Sequence, residues 1–378
     1  MRSFWEKNKK FFRMLFVGLV MTGILISLPT GFEDALIYQG TERAVATVVA
    51  VDNSAIISSG LIQSGEQTCV LSIGKGLFAG REITGVNFLS GSLEKDKIYE
   101  VGDKALVTIS YDGDEVKSAV MSDHYRLDKE AVLAVLFVLL LILFAGKNGV
   151  QAIFSFVITV LSIWKILVPS YLKGYSPVWI GIALTAFLTV VILYFVYGIE
   201  KRTLVASMGS LLGVLTTCVL GIVFTDLFKI HGAVMANSES LLYSGYENLD
   251  LTAIFMSSIF IGASGAMMDL AVDITAAVSE VVEKKPEIGW LEAAKSGMNV
   301  GRAAMGTMTT TLLLAYSGGC VALLMVFMAQ GTPVDHILNY KYVAAEVLDT
   351  IAGSFGLVTV APFTALVAGL ILTKKLEN

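Results

Sequence analysis

Long apolar runs dominate this chain and limit what it can fold into. A run at residues 14–28 is followed by seven more between residues 128 and 378, each with few charged side chains. About 18 or more such residues can cross the hydrocarbon layer of a membrane as one helix. We therefore predict a membrane α-helical bundle of about eight spans. The spans are placed at 14–28, 131–146, 149–168, 177–198, 203–226, 251–282, 304–329 and 343–373.

The composition agrees with this class and narrows the expected ligands. Charged residues make up 16% of the chain, whereas soluble domains carry about 25%. Only three cysteines and three histidines are present, and their spacing fits no known metal motif. We therefore expect neither a metal site nor a cofactor.

The first span, within residues 1–30, follows a basic segment. Five Lys and Arg residues precede the apolar run at 14–28. This pattern is typical of an N-terminal membrane helix and also of a secretory signal peptide. Because no small-residue cleavage site stands out after Leu28, a retained helix is favoured, with its basic end in the cytoplasm.

A polar segment at residues 31–127 interrupts the apolar pattern. Short β-branched stretches alternate there with Gly and Asp clusters, which predicts a small all-β, OB-like barrel inserted after the first span. The candidate strands are 42–51, 54–62, 67–73, 82–89, 104–111 and 116–122. Residues 33–130 contain 16 acidic against 9 basic residues. Such an excess of acid argues against a nucleic-acid partner.

The distribution of Lys and Arg predicts the orientation of the spans. The predicted inner loops and the C-terminal tail hold most of these residues, whereas the predicted outer loops hold only Lys173, Lys229 and Lys341. This asymmetry places both termini in the cytoplasm and the β domain outside. The remaining residues, 128–378, form a predicted seven-span domain. Helical spacing near 286–302 further predicts an interfacial cytoplasmic helix.

Two aspartates in the span at 251–282 are the first candidate site. Asp269 and Asp273 are four positions apart and share a helix face with Gly262 and Gly265. A charge at mid-membrane costs roughly 2.5–3.5 kcal/mol on insertion scales. A cation held between the two carboxylates, or a shared proton, would account for them. Alternatively, the helix ends earlier and both acids face cytoplasmic water.

The following span is unusually polar. It contains Gly306, Thr307, Thr309 and Thr310, shortly after Arg302. Hydroxyls and freed carbonyls of a broken helix can coordinate ions or anions, and Arg302 could pair with either aspartate or with an anionic substrate. Ordinary helix packing by threonine is the alternative.

The last span carries two more acids, Glu346 and Asp349. It then contains Gly353–Gly356 and Pro362, which predict an interrupted helix lining protein or water. Alternatively, Pro362 only kinks the helix. Tyr316–Gly319 marks a similar weak point in the preceding span. The two acids are placed at the outer interface or in the core, with the interface favoured.

These motifs resemble those of the YibE/F family of bacterial multipass membrane proteins. The stretches that carry the resemblance are Gly262–Asp273, Ser296–Met308, Tyr316–Gly319, Gly353–Gly356 and Ala361–Pro362. The order of N-terminal helix, β domain and multispan body is also similar. The resemblance implies a bacterial cell membrane and brings no substrate or mechanism.

The carboxylates among polar, glycine-rich helices favour a transporter or permease for a small solute or ion, coupled to protons or cations. A membrane scaffold, sensor or envelope-assembly component acting through the β domain is the first alternative. A permease subunit with a separate ATPase, suggested by Glu292–Gly297, is the second. No HExxH, GxSxG or GxGD motif is present, so we expect no enzyme. The expected partners are the bilayer and the solute, and small-residue helix faces permit a homodimer or a partner membrane protein.

Overall fold

The computed structural model describes residues 2–32 and 38–374, with side chains from residue 9 onward. Two compact units form, one at Gly31–Leu141 and one that combines Met1–Thr30 with Ile142–Asn378. The N-terminal helix therefore belongs with the helical body. The β unit extends past the expected boundary at residue 127, because the beginning of the next helix belongs to it.

The β unit contains six strands close to the predicted positions. They are β1 (Thr41–Asp52), β2 (Ile56–Ser59), β3 (Ile62–Ile73), β4 (Glu82–Ser90), β5 (Lys104–Asp112) and β6 (Glu115–His124). However, β2 is shorter than the predicted 54–62, and β3 begins at Ile62 rather than at residue 67.

Five of these strands close into a barrel. β1 pairs with both β3 and β5, and the parallel pair of β4 with β6 completes the ring. β2 only extends a hairpin with β3. This pairing order is that of an OB-like barrel, as predicted. Alternate residues point inward and fill the interior, where Cys69, Leu71, Val107 and Ile109 are fully buried.

A buried glutamine fastens the loop before β5 to the barrel. Gln67 Oε1 accepts hydrogen bonds from the Tyr99 backbone N–H at 3.0 Å and from Asn87 Nδ2 at 3.1 Å. Gln67 Nε2 donates to the Tyr99 carbonyl and to Asn53 Oδ1, each at 2.9 Å. A single side chain therefore satisfies several buried polar groups.

A second loop is organised by Asp96. Its carboxylate accepts hydrogen bonds from the Ser90 hydroxyl at 2.9 Å, the Gly91 amide at 2.6 Å and the Ser92 amide at 2.8 Å. Hydrogen bonds to Ser90, followed by those to Ser92 and Gly91, hold the pKa of Asp96 below its ordinary value, since they stabilise the ionised form.

Eleven α-helices lie in the described part of the chain. They are α1 (Arg2–Ser27), α2 (Leu127–Ser162), α3 (Val168–Leu172), α4 (Pro177–Tyr197), α5 (Lys201–Leu227), α6 (Ser238–Tyr243), α7 (Leu251–Lys284), α8 (Trp290–Ser317), α9 (Val321–Ala329), α10 (Val334–Asn339) and α11 (Lys341–Leu372). Seven helical stretches of the described residues are long and apolar enough to cross a membrane.

One of these stretches, Leu127–Leu172, contains two of the predicted spans. Inside it, Gly146 has φ 55° and ψ −122°, which is not helical. This left-handed region favours glycine, because a side chain would clash with the backbone there. The break therefore falls at the predicted boundary between the spans 131–146 and 149–168.

The core of the helical unit lies among α5, α7, α8 and α11. Small residues let the helices approach closely. A Cβ atom added to Gly213 of α5 would lie 2.9 Å from the Gly356 carbonyl oxygen of α11, and one added to Gly356 would lie 2.9 Å from the Gly213 carbonyl oxygen. The backbones of α5 and α11 are therefore in direct contact at this point.

Several predicted interruptions are wrong. α8 continues through Gly306, and α11 continues through Gly353–Gly356 and Pro362. The segment near 286–302 is also not a separate helix, because α8 begins at Trp290 and runs on without a break. The weak point at Tyr316–Gly319 is confirmed in part, since a short 3₁₀ turn at Gly318–Cys320 separates α8 from α9.

Candidate functional site

Asp269 and Asp273 share a helix face, as predicted, but this face is exposed rather than packed against other helices. Asp269 and Asp273 lie on the exposed side of the unbroken helix α7, together with Gly262 and Gly265. A Cβ atom added to Gly265 would meet no atom within 4 Å. None of the ion pairs in the described part of the chain includes either aspartate. The face brings two carboxylates together without a third ligand.

The threonines of α8 bond to their own helix. The hydroxyls of Thr307, Thr309 and Thr310 donate to carbonyl oxygens three or four residues earlier, at 3.0, 2.9 and 3.1 Å. Since α8 is unbroken at Gly306, the predicted helix break is wrong and no backbone carbonyl is freed there. Ligand binding by these threonines stays a prediction. Arg302 is exposed and forms no ion pair with the aspartates among the described residues.

Glu346 and Asp349 instead border a cavity of about 640 Å³ in the helical unit. They are three positions apart on α11 and therefore share a face. Ser258 of α7 and Cys320 of the 3₁₀ turn line the same cavity. Segments far apart in the chain thus form one pocket that contains two carboxylates.

Tyr316 extends from the end of α8 to this region. A Cβ atom added to Gly262 would lie 2.7 Å from the Tyr316 hydroxyl oxygen. Gly262, which the sequence places in the aspartate site, therefore provides room for this tyrosine. Tyr316 lies near both Asp349 and Glu346, without a hydrogen bond to either among the described residues.

Two buried oxygens at the site lack a partner. Among the described residues, eleven side-chain oxygens are buried without a hydrogen-bond partner; Asp349 Oδ1 is the one carboxylate oxygen in this group, and the Tyr316 hydroxyl is one of the others. An unsatisfied buried polar group costs about 1–3 kcal/mol, and more when it is charged, so native proteins contain few of them. Glu346 interacts electrostatically with Cys320 and with Asp349. The arrangement suits a proton or a cation that neutralises the carboxylates.

The donor set does not suit a tightly bound metal ion. Within the described residues, no group of three or more His, Cys, Asp or Glu side chains could hold one. Sequence reasoning identified Glu346 and Asp349 but missed Tyr316, Cys320 and Ser258 as their neighbours. The only sequence signal for Tyr316 and Cys320 was their position at or beside the glycine-rich weak point of the preceding span.

A family model described as a YibE/F-like protein matches residues 133–374, which is more than half of the chain. The chain belongs to the YibE/F family. The matched region of this YibE/F protein includes the cavity, the aspartate face and Arg302, and it follows the barrel. No curated protein and no solved structure matches the chain. Family membership and the long apolar helices together support a multi-pass membrane protein.

Proposed function

We propose that this YibE/F protein is a transporter or permease for a small solute or ion in the bacterial cytoplasmic membrane. Both termini would lie in the cytoplasm and the barrel outside. The observation that carries the proposal is the buried, unpartnered carboxylate oxygen of Asp349 at a cavity of about 640 Å³. Eight predicted spans also exceed what a simple anchor requires.

The carboxylates supply a means of coupling. An ionised Asp349 or Glu346 inside an apolar helical unit is costly without a counter-charge. Binding of a proton or a cation removes that cost, and release of the proton or cation restores the cost. Conformations that open the cavity to opposite sides would therefore differ in their affinity for the coupling ion, which is the basis of coupled transport.

We place the coupling site at the cavity rather than at the aspartate face of α7. Asp269 and Asp273 are exposed on α7, whereas Asp349 has a buried oxygen beside the Tyr316 hydroxyl and Glu346. A buried carboxylate without a partner is more costly to maintain than an exposed one or than a buried hydroxyl, because it carries a charge when ionised.

Flux into proteoliposomes tests the proposal. The purified full chain is reconstituted, and uptake is measured across a panel of inorganic cations, small anions and organic solutes, with an internal pH dye. We expect Asp349→Asn to abolish the coupled flux, because the amide cannot exchange a proton or hold a cation. Asp335→Asn, an exposed carboxylate of α10 outside the cavity, is the matched control and should transport normally.

The double variant Asp269→Asn, Asp273→Asn separates the two candidate sites. Retained flux in the double variant, with loss in Asp349→Asn, supports the cavity. The reverse pattern would show that the aspartate face carries the coupling and that the cavity does not. If the wild type moves nothing across the panel at an imposed proton or sodium gradient, the transport proposal is overturned.

A scaffold or sensor role remains the second candidate because of the barrel surface. The side chains of Ile57, Leu61 and Leu93 are 70%, 84% and 70% exposed. Exposed apolar side chains of this size often mark contacts with other proteins. If Ile57→Ser with Leu61→Ser abolishes complementation of a deletion strain, while Asp349→Asn complements fully, this role replaces transport.

The ATPase-coupled alternative finds less support. Glu292–Gly297 lies in the first turns of α8, where Ala293 and Ala294 are buried. A Cβ atom added to Gly297 would lie 2.6 Å from a methyl carbon of Val278. This packing occupies one face of the segment, whereas Leu291, Glu292 and Lys295 on its other face are exposed. The packed alanines and glycine are accounted for by helix contacts and call for no ATPase partner.

A further inference from the structure

We propose that the Glu346–Asp349 cavity binds a small organic monocation of the amine or quaternary-ammonium class. This substrate class rests on the transport function proposed above. It follows from three properties of the cavity: the sign of its charge, the aromatic side chains in its wall, and its size.

The charged side chains that line the cavity are all acidic. Glu346 and Asp349 are acidic, and none of the side chains that line the cavity belongs to Lys, Arg or His. Neither carboxylate takes part in an ion pair within the described part of the chain. An anionic solute would meet like charge in an apolar surrounding, whereas a cation would supply the missing counter-charge.

Aromatic rings form a further part of the wall. Phe255, Tyr340 and Tyr342 line the cavity. The Tyr340 and Tyr342 ring centroids are 5.6 Å apart and tilted by 36°. Lys341 Nζ lies 5.0 Å from the Tyr342 centroid, so this ring is already engaged by a cation, and Phe255 and Tyr340 are the rings of the wall that remain for a ligand. Aromatic faces attract alkylammonium groups, whose charge is diffuse and weakly hydrated.

The size and remaining lining favour an organic ion over a bare inorganic one. About 640 Å³ is typical of pockets for small organic ligands, which have mostly apolar walls and a few polar groups. Met235, Leu323 and Ala345 supply such apolar surface. A dehydrated metal ion instead requires several converging oxygen ligands.

Uptake of labelled choline by proteoliposomes containing the full chain tests the proposal. Its uncharged carbon isostere, dimethylbutanol, serves as the competitor that lacks only the charge. We expect saturable choline uptake that tetraethylammonium inhibits and dimethylbutanol does not. Asp349→Asn should reduce uptake at least about thirtyfold, because a buried charge pair is lost.

A matched pair of variants tests the aromatic contribution. Tyr340→Leu should raise the half-saturating choline concentration about tenfold, since a desolvated cation–π contact is lost. Tyr340→Phe keeps the ring and should stay close to wild type. Equal effects of the two variants would contradict a cation–π role and overturn the proposed substrate class.

The same vesicles distinguish this inference from the proposed function. Flux of protons or inorganic cations that depends on Asp349, without choline or tetraethylammonium uptake, overturns the organic-cation assignment and leaves the transporter intact. Wild-type levels of every flux in Asp349→Asn would overturn both. Monodisperse elution of each variant in detergent shows that the losses do not come from misfolding.

Discussion

Replacing Gly356 by Ala should destabilise the helical unit at the contact of α5 with α11. The new Cβ atom would lie 1.9 Å from Thr217 Oγ1, 2.3 Å from Met267 Cε and 2.9 Å from the Gly213 carbonyl oxygen. The methionine methyl group can rotate away. The carbonyl oxygen belongs to the backbone of α5, and the Thr217 hydroxyl donates to the Ala352 carbonyl at 3.2 Å.

The magnitude follows from two opposing effects. Overpacking of a core costs about 1–3 kcal/mol, and a clash with backbone falls at the upper end of this range. Alanine recovers about 1 kcal/mol through its better helix propensity. The expected net destabilisation is therefore about 2 kcal/mol, which corresponds to a melting temperature lower by about 4–8 °C.

Thermal unfolding of the purified full chain in detergent, followed by fluorescence-detected gel filtration, measures this effect. Gly265→Ala is the matched control, because it also replaces a mid-helix glycine and its added Cβ atom meets nothing within 4 Å. The control should be neutral or stabilised by up to about 1 kcal/mol. If Gly356→Ala melts at or above the temperature of Gly265→Ala, the inferred backbone contact is wrong.

Two further predictions concern the barrel. Gln67→Leu leaves both backbone groups of Tyr99 without their Gln67 partners, whereas Asn87 Nδ2 keeps its hydrogen bond to the Lys97 carbonyl. We expect a loss of about 3 kcal/mol, measured as lower thermal stability and faster amide exchange in the barrel. The pKa of Asp96 is lowered in the folded barrel by hydrogen bonds with Ser90 and two amides, so the ionised carboxylate stabilises the fold. This stabilisation is complete above the unfolded-state pKa of about 4 and is lost as the pH falls through the folded-state pKa. Asp96→Asn should remove this acid-dependent part, and an unchanged pH profile of amide exchange at residues 91–96 would contradict it.

The barrel could be predicted from the sequence because its signals are local. β-branched residues at alternating positions define each strand, and glycines such as Gly60 and Gly113, with φ of 62° and 60°, turn the chain between them. The order in which the strands pair could not be predicted in this way, because β1 with β5 and β4 with β6 are neighbours only in space. The apolar runs likewise predict the helices, because membrane thickness sets their length.

The helix interruptions and the site could not be predicted in the same way. Gly353 and Gly356 resemble helix breakers in sequence, yet they serve close packing against Ala263 and Gly213. Only the spatial neighbours of a glycine distinguish these roles. The cavity likewise requires residues from α7, the 3₁₀ turn and α11, so no local pattern reveals that Asp349 lacks a partner.

The direct backbone contact between Gly213 and Gly356 has a consequence for how the helical unit can move. Two helices whose main chains touch cannot slide past each other or rotate without first separating, so α5 and α11 should travel together as a fixed frame. Glu346 and Asp349 belong to that frame. We therefore expect motion that opens the cavity to come from its other walls, which include the 3₁₀ turn that leads into α9, a helix without buried residues.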